Sequence, residues 1–144
     1  MFPKSISLIT LGVADLERSR AFYAALGWEA AQAPEGVVFI QVAGQVLALF
    51  GIDDLAEDMR AERSGLGTGA ITLARNLATE AEVDAAFDLA LSAGATELKR
   101  PEKVFWGGYS GYFADPDGHV WELAMNPFWN LGADGTLTLP AAGG

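Results

Sequence analysis

Two side chains able to do acid–base or ligand chemistry, His119 and Glu122, stand three residues apart near the end of the chain. They lie in the run from Tyr109 to Leu123, where Asp115-Pro116-Asp117-Gly118 separates two aromatic-rich segments. Proline pre-sets φ and glycine supplies a positive φ, so the run reads as a β-hairpin closed by a four-residue turn. Residues three apart on a strand point to opposite faces, so the two cannot act together. His119 is then a solvent-facing or turn-capping residue, with proton transfer or ligation as its alternative. Glu122 shares a face with Val120 and Ala124, and a carboxylate on a half-buried strand needs a partner. It is either a pocket acid that accepts hydrogen bonds from a ligand or acts as a general base, or a relic carboxylate paired with a local hydroxyl or base. Across a four-residue turn Ala114 pairs with His119 and Gly111 with Glu122, which leaves space over the carboxylate.

The rest of the composition narrows the chemistry. The chain has 144 residues and no cysteine, so disulfides, thiolate metal sites and cysteine nucleophiles are excluded. A single histidine beside a turn does not support a Ser-His-Asp constellation. Nineteen acidic against nine basic side chains give a net charge of −10, which argues against nucleic acid and anionic membranes as partners. No apolar run is long enough to span a bilayer, and Met1-Phe2-Pro3-Lys4 lacks the pattern of a signal peptide, so a cytoplasmic location is expected. Ser64-Gly65-Leu66-Gly67-Thr68-Gly69 lacks the Lys-Ser/Thr pair of a phosphate loop and reads as a linker.

Strands and helices that position these groups follow from periodicity. Alternation over residues 5–13 predicts a strand. Asp15 caps a helix over 15–26, with Leu16, Ser19, Phe22, Tyr23 and Leu26 at helical spacing and Gly27 closing it. Strands are expected at 28–32, 37–42 and 45–50, then a short charged helix within 53–63. A second pass begins with a strand at 70–75. Thr79-Glu80-Ala81-Glu82 is a capping box opening a helix that Gly94 ends. Strands are expected at 96–99, around 104–106, at 109–114 and at 119–125.

The two passes repeat. Gly27 and Gly94, Pro34 and Pro101, and Glu35 and Glu102 are each 67 residues apart. At that offset Val37-Val38-Phe39 falls on Val104-Phe105-Trp106. The expected fold is therefore α+β, with two tandem βαβββ modules (about 5–52 and 70–126, linker 53–69) in one domain over 1–130 and a tail at 131–144. Two such modules, within the chain or across a dimer, can curl their free sheet faces into a cupped mixed sheet with apolar walls, a usual form of small-ligand site.

This pattern resembles the vicinal oxygen chelate superfamily of glyoxalase I, extradiol dioxygenases and bleomycin-resistance proteins. The likeness is carried by Leu11-Gly12-Val13-Ala14-Asp15-Leu16 through Tyr23 and Leu26-Gly27, by Gly107 to Leu123, and by Asn126-Pro127-Phe128-Trp129. Members that use a metal hold it by His, Gln or Glu on the first and last strands of each module. The resemblance places those positions at Leu8, Ala48, Ala70 (or Ile71) and Glu122. Only Glu122 can ligate, whereas a divalent transition metal needs about three N/O ligands. No metal and no cofactor are therefore expected, and the metal-free members that bind a small molecule are the nearer pattern.

The function expected is binding of a small aromatic or cationic molecule in an apolar cup, with Glu122 as polar anchor, by a homodimer. The alternative is a lyase, isomerase or dioxygenase of the superfamily with Glu122 as general base or metal ligand. Candidate ligand-binding residues in the first module are Leu8, Thr10, Ala48 and Phe50. Those in the second are Thr72, Trp106, Tyr109, Gly111, Phe113 and Glu122. Tyr112 could also wall the cup, and Arg75 could hold an anionic group or a surface ion pair.

Overall fold

The structure is a computed structural model that describes residues 1–141; the last three residues of the expected tail lie outside it. It is α+β, with two mixed sheets and three α-helices. The chain divides into two compact units, the first ending at Gly67 and the second beginning at Thr68.

In the first unit β1 (Leu8–Val13) leads into α1 (Leu16–Ala25), followed by β2 (Val37–Val42), β3 (Gln45–Gly51) and α2 (Ile52–Met59). Asp15 caps α1 by accepting from the Arg18 amide at 3.0 Å. The sheet order is β1-β3-β2, with β1 parallel and β2 antiparallel to β3. Alternation sets the two faces. Leu47 and Leu49 of β3 with Val38 and Ile40 of β2 are almost fully buried, as are Phe22 and Tyr23 of α1. These residues form the apolar core, the dominant stabilising term in such a unit. Leu8, Thr10, Ala48 and Phe50 lie on the opposite face. At one end of that face α2 comes close: a Cβ on Gly12 would stand 3.1 Å from side-chain atoms of Ile52 and Leu55. The expected strand at 28–32 is reduced to a bridge between Gln32 and Phe39.

The second unit runs β4 (Thr72–Asn76), α3 (Glu80–Ala93), β5 (Thr96–Lys103), β6 (Tyr109–Ala114) and β7 (Val120–Met125). The expected capping box is present, since Glu82 N–H donates to Thr79 Oγ1 at 3.1 Å and Thr79 N–H donates back to Glu82 Oε2 at 3.2 Å. Gly94 ends α3 with φ of 114°, a left-handed value that glycine adopts at little cost. The sheet order is β4-β7-β6-β5, with β4 parallel to β7. Helix α3 covers one face. Tyr109 Oη donates to Asp84 Oδ1 at 2.7 Å, and the Arg100 guanidinium sits 5.2 Å from the Phe87 ring centroid. Phe113 and Trp121, with rings 6.4 Å apart, are buried on that same face beside Leu123.

Two strand expectations need correction here. Residues 96–103 are one strand, not a strand to 99 followed by another near 104–106. Val104–Gly108 is the loop joining β5 to β6, closed by hydrogen bonds from Val104 N–H to Gly108 O and Gly107 N–H to Val104 O, both 3.0 Å. The hairpin register also differs. Asp115 N–H donates to His119 O, and Asp115 Oδ1 accepts from the amides of Asp117 and His119, each at 2.9 Å. The loop is therefore Pro116-Asp117-Gly118, three residues with Gly118 at φ 94°. Ala114 pairs with Val120, Tyr112 with Glu122 and Gly111 with Leu123.

The registers give the true correspondence between modules. In each, the first strand pairs parallel with the last, so β1, β2 and β3 correspond to β4, β6 and β7. The offset of 67 holds at Gln32 and Lys99, since 99 − 32 = 67, but becomes 112 − 39 = 73 at Phe39 and Tyr112. The long β5–β6 connection absorbs the difference, so Val37-Val38-Phe39 does not correspond to Val104-Phe105-Trp106.

Candidate functional site

Each sheet carries one transverse row at its middle on the face away from its first helix. In the first unit the row is Thr10, Ala48, Phe39 and Gln32. In the second it is Ala74, Glu122, Tyr112 and Lys99. The second row has the chemistry. Tyr112 Oη donates to Glu122 Oε2 at 3.1 Å, a hydrogen bond between directly paired strand residues. Both side chains are half-buried. Burial, followed by the charge of Glu122 and the hydrogen bond to it, holds the Tyr112 phenol above its ordinary range. Tyr112 therefore stays a donor at neutral pH.

No Lys, Arg or His among the described residues forms an ion pair with Glu122. Lys99, at the end of the row, stands 3.5 Å from Glu102. Glu122 is flanked along its own strand face by Val120 and Ala124 and across it by Ala74, so its surroundings are small and apolar. Such a carboxylate, half-removed from water with one neutral hydrogen-bond donor, favours an incoming cation or N–H donor.

The structure sorts the expected site residues by face. Leu8, Thr10, Ala48 and Phe50 share one face of the first sheet. Thr72 shares the Glu122 face of the second. Tyr109, Gly111 and Phe113 do not, because the hairpin register is shifted by one residue and turns them toward α3. The space at Gly111 serves a different purpose from the one expected. A Cβ there would lie 2.7 Å from Lys99 O and Pro101 N, where β5 bulges toward its neighbour. Trp106 sits in the β5–β6 loop with its indole packed over Gly108, and Phe128 packs against Gly107. His119 lies at the hairpin turn, where its amide donates to Asp115. Arg75 donates to its neighbour Asn76 O and lies under the turn at Gly135. Tyr112, expected only as a possible wall of the cup, is the hydroxyl partner of Glu122. Reading Pro-Asp-Gly as a three-residue loop with a left-handed glycine would have found it.

The metal positions that the resemblance implies can be placed by the same registers. Leu8 pairs with Val46, two residues before Ala48, and Thr72 pairs with Val120, two before Glu122. The third position is therefore Thr72 rather than Ala70, which lies before β4 with φ of 32°. The set is two aliphatic side chains, one hydroxyl and one carboxylate. No group of three or more His, Cys, Asp or Glu side chains is placed to hold a metal ion among the described residues. This donor set does not fit a divalent transition metal.

Comparison with known proteins agrees with the fold. Residues 5–123 match the Glyoxalase/Bleomycin resistance protein/Dioxygenase superfamily. A glyoxalase-related enzyme from Fulvimarina pelagi is 37% identical, with a TM-score of 0.89 over 96% of this chain and 100% of that one. A lactoylglutathione lyase from Agrobacterium tumefaciens is 25% identical, with a TM-score of 0.67 over 90% of this chain and 98% of its own. An uncharacterized protein of Mycobacterium bovis is 49% identical over 47 residues, which are 33% of this chain. The match spans 31% of that relative's length, less than a third. No helix among the described residues is long and apolar enough to cross a membrane. With the family match covering most of the sequence, the chain belongs to the glyoxalase/bleomycin resistance protein/dioxygenase superfamily.

Proposed function

We propose that the protein binds a small cationic or aromatic molecule without a metal or other cofactor, and that Glu122 is the polar anchor of the site. The observation that carries this reading is the half-buried Glu122 carboxylate, hydrogen-bonded to Tyr112 and without an ion-pair partner. Burying a charge is costly unless it is paired, and a ligand cation would supply the missing pair. The Tyr112 ring, on the same sheet face as Glu122, adds support as an apolar wall for a flat or cationic ligand. Under the same reading the protein acts as a homodimer in the cytoplasm, the location being supported by the cysteine-free composition.

An enzymatic reading has one specific support. The Fulvimarina pelagi relative, 37% identical, is described as a glyoxalase-related enzyme. Glu122 would then act as a general base in a lyase or isomerase reaction, or as a metal ligand in a dioxygenase. A thermal-shift screen of small amines, aromatic acids and neutral aromatics, run with and without a chelator, separates the two. The binding reading expects amines to raise the melting temperature equally in both conditions, and Glu122→Gln to remove the shift. Stabilisation that the chelator abolishes would overturn it in favour of a metal enzyme.

A further inference from the structure

Four large aromatic side chains stand in water at one end of the second sheet. Phe105 and Trp106 belong to the loop between β5 and β6, and Phe128 and Trp129 follow the end of β7. The paired strand ends Tyr109 and Met125 bring the two stretches side by side. Their rings cover neighbouring residues, since Phe128 packs against Gly107 and the Trp106 indole over Gly108. Both stretches are held by hydrogen bonds. Val104 and Gly108 close the loop, Phe128 N–H donates to Asn126 Oδ1 at 2.9 Å, and Trp129 N–H donates to Asn126 O at 3.2 Å. Even so Phe105 is fully exposed, and Phe128, Trp106 and Trp129 are 69%, 37% and 36% exposed. At about 200 Å² for a whole aromatic side chain, these fractions leave about 500 Å² of aromatic surface in water. A contiguous apolar patch of that size marks an interaction surface.

Area and charge point to the occupant. A standard interface takes about 800 Å² from each partner, and a homodimer interface core is about 65% apolar, which comes to about 520 Å². The aromatic surface matches that share. Residues 104–109 and 125–132 contain no charged side chain, although the chain carries a net charge of −10. Two molecules with that charge repel each other, and they meet at least electrostatic cost where neither presents a charge. A basic partner would be steered to the acidic surface instead.

We propose that Phe105, Trp106, Phe128 and Trp129 form the surface on which a second copy of this chain docks, the same patch facing itself across a twofold axis. The proposal rests on the homodimer reading above, not on Glu122 as anchor, and gives that dimer its surface.

Sedimentation equilibrium of the full chain tests it. The wild type is compared with Phe105→Asp, Phe128→Asp and Leu89→Asp, the last an exposed apolar residue on α3. The wild type is expected to be a dimer at micromolar concentration. Each Phe substitution removes an aromatic anchor and buries a charge in both copies, so the dissociation constant is expected to rise by about hundredfold or more. Leu89→Asp is expected to leave it unchanged. Phe105 and Phe128 are exposed in the single chain, so the fold is expected to persist, and circular dichroism checks this. A second measurement needs no variant: acrylamide quenching of tryptophan emission is expected to fall as the wild type is concentrated through its dimerisation range, because Trp106 and Trp129 become covered. A dimer that both Phe variants leave intact, that Leu89→Asp weakens as much, or that forms with unchanged quenching would overturn this surface while the homodimer reading survives. A wild type that stays monomeric at millimolar concentration would overturn both.

Discussion

The two modules repeat one topology and differ where it matters. Their central rows correspond strand by strand: Thr10, Ala48, Phe39 and Gln32 against Ala74, Glu122, Tyr112 and Lys99. At the second place an aliphatic residue that is 1% exposed faces a half-buried carboxylate. At the third a Phe faces a Tyr whose added hydroxyl makes the hydrogen bond to that carboxylate. At the fourth, an isolated bridge at Gln32 faces the eight-residue strand β5. The second module has become polar along its row and has gained the strand that supports it. The first row carries no charged side chain.

Exchanging the two central residues gives the largest expected effect. Ala48→Glu places an acid at a position that is 1% exposed, and is expected to cost about 3 kcal/mol or more of stability in urea unfolding. The reverse exchange, Glu122→Ala, is expected to change stability by less than about 1 kcal/mol, because no cation offsets the desolvation of that carboxylate. Equal losses for both would erase the asymmetry.

The next effect probes the added strand. Gly111 corresponds to Val38, which the first module accommodates because no bulged strand presses on it. Gly111→Ala must displace the backbone near Lys99 and Pro101, and a loss of about 1–3 kcal/mol is expected. A neutral result would mean that β5 yields easily. Smaller still is the difference between helix starts. Thr79→Ala removes a reciprocal capping box and is expected to cost about 1 kcal/mol by thermal unfolding. Asp15→Ala, which removes a single capping bond, should cost less.

The smallest expected effect is a pH dependence peculiar to the second module. The Tyr112 phenol is raised in the folded state, so the folded protein holds that proton more tightly than the unfolded chain. Its contribution is fully present below the ordinary tyrosine range of about 10 and is lost as pH rises through the raised folded value. Wild type should therefore lose stability over that alkaline window slightly more than Tyr112→Phe. Identical pH profiles would remove Tyr112 as the source.

Much of this architecture was legible in the sequence. Asp15, Gly27, Thr79, Glu82 and Gly94 mark helix ends by local chemistry, and local chemistry needs no tertiary information. The repeat was legible for the same reason, since its markers are turn and cap residues. What failed was register. Counting the hairpin turn as four residues instead of three put Gly111 opposite Glu122 and turned Tyr109 and Phe113 to the wrong face, because a one-residue slip flips every side chain. A constant offset of 67 likewise failed beyond Pro101, where the strand β5 and its loop lengthen the second module. The short strand at 28–32 could not be read because a single bridge depends on what its neighbour offers, not on its own residues. The acid was named from sequence, and Tyr112 was named only as a wall of the cup, because the slipped register kept it from being paired with Glu122.

The central claim is that Glu122 holds a ligand cation without help from a metal. Calorimetric titration of chelator-treated protein with benzylamine tests it most directly, comparing the wild type with Glu122→Gln. The account predicts that chelation leaves wild-type affinity unchanged and that the substitution weakens it by about tenfold or more, the scale of a lost charge-assisted contact. Equal affinity for the two proteins, or binding by the wild type that disappears with the metal, would contradict it.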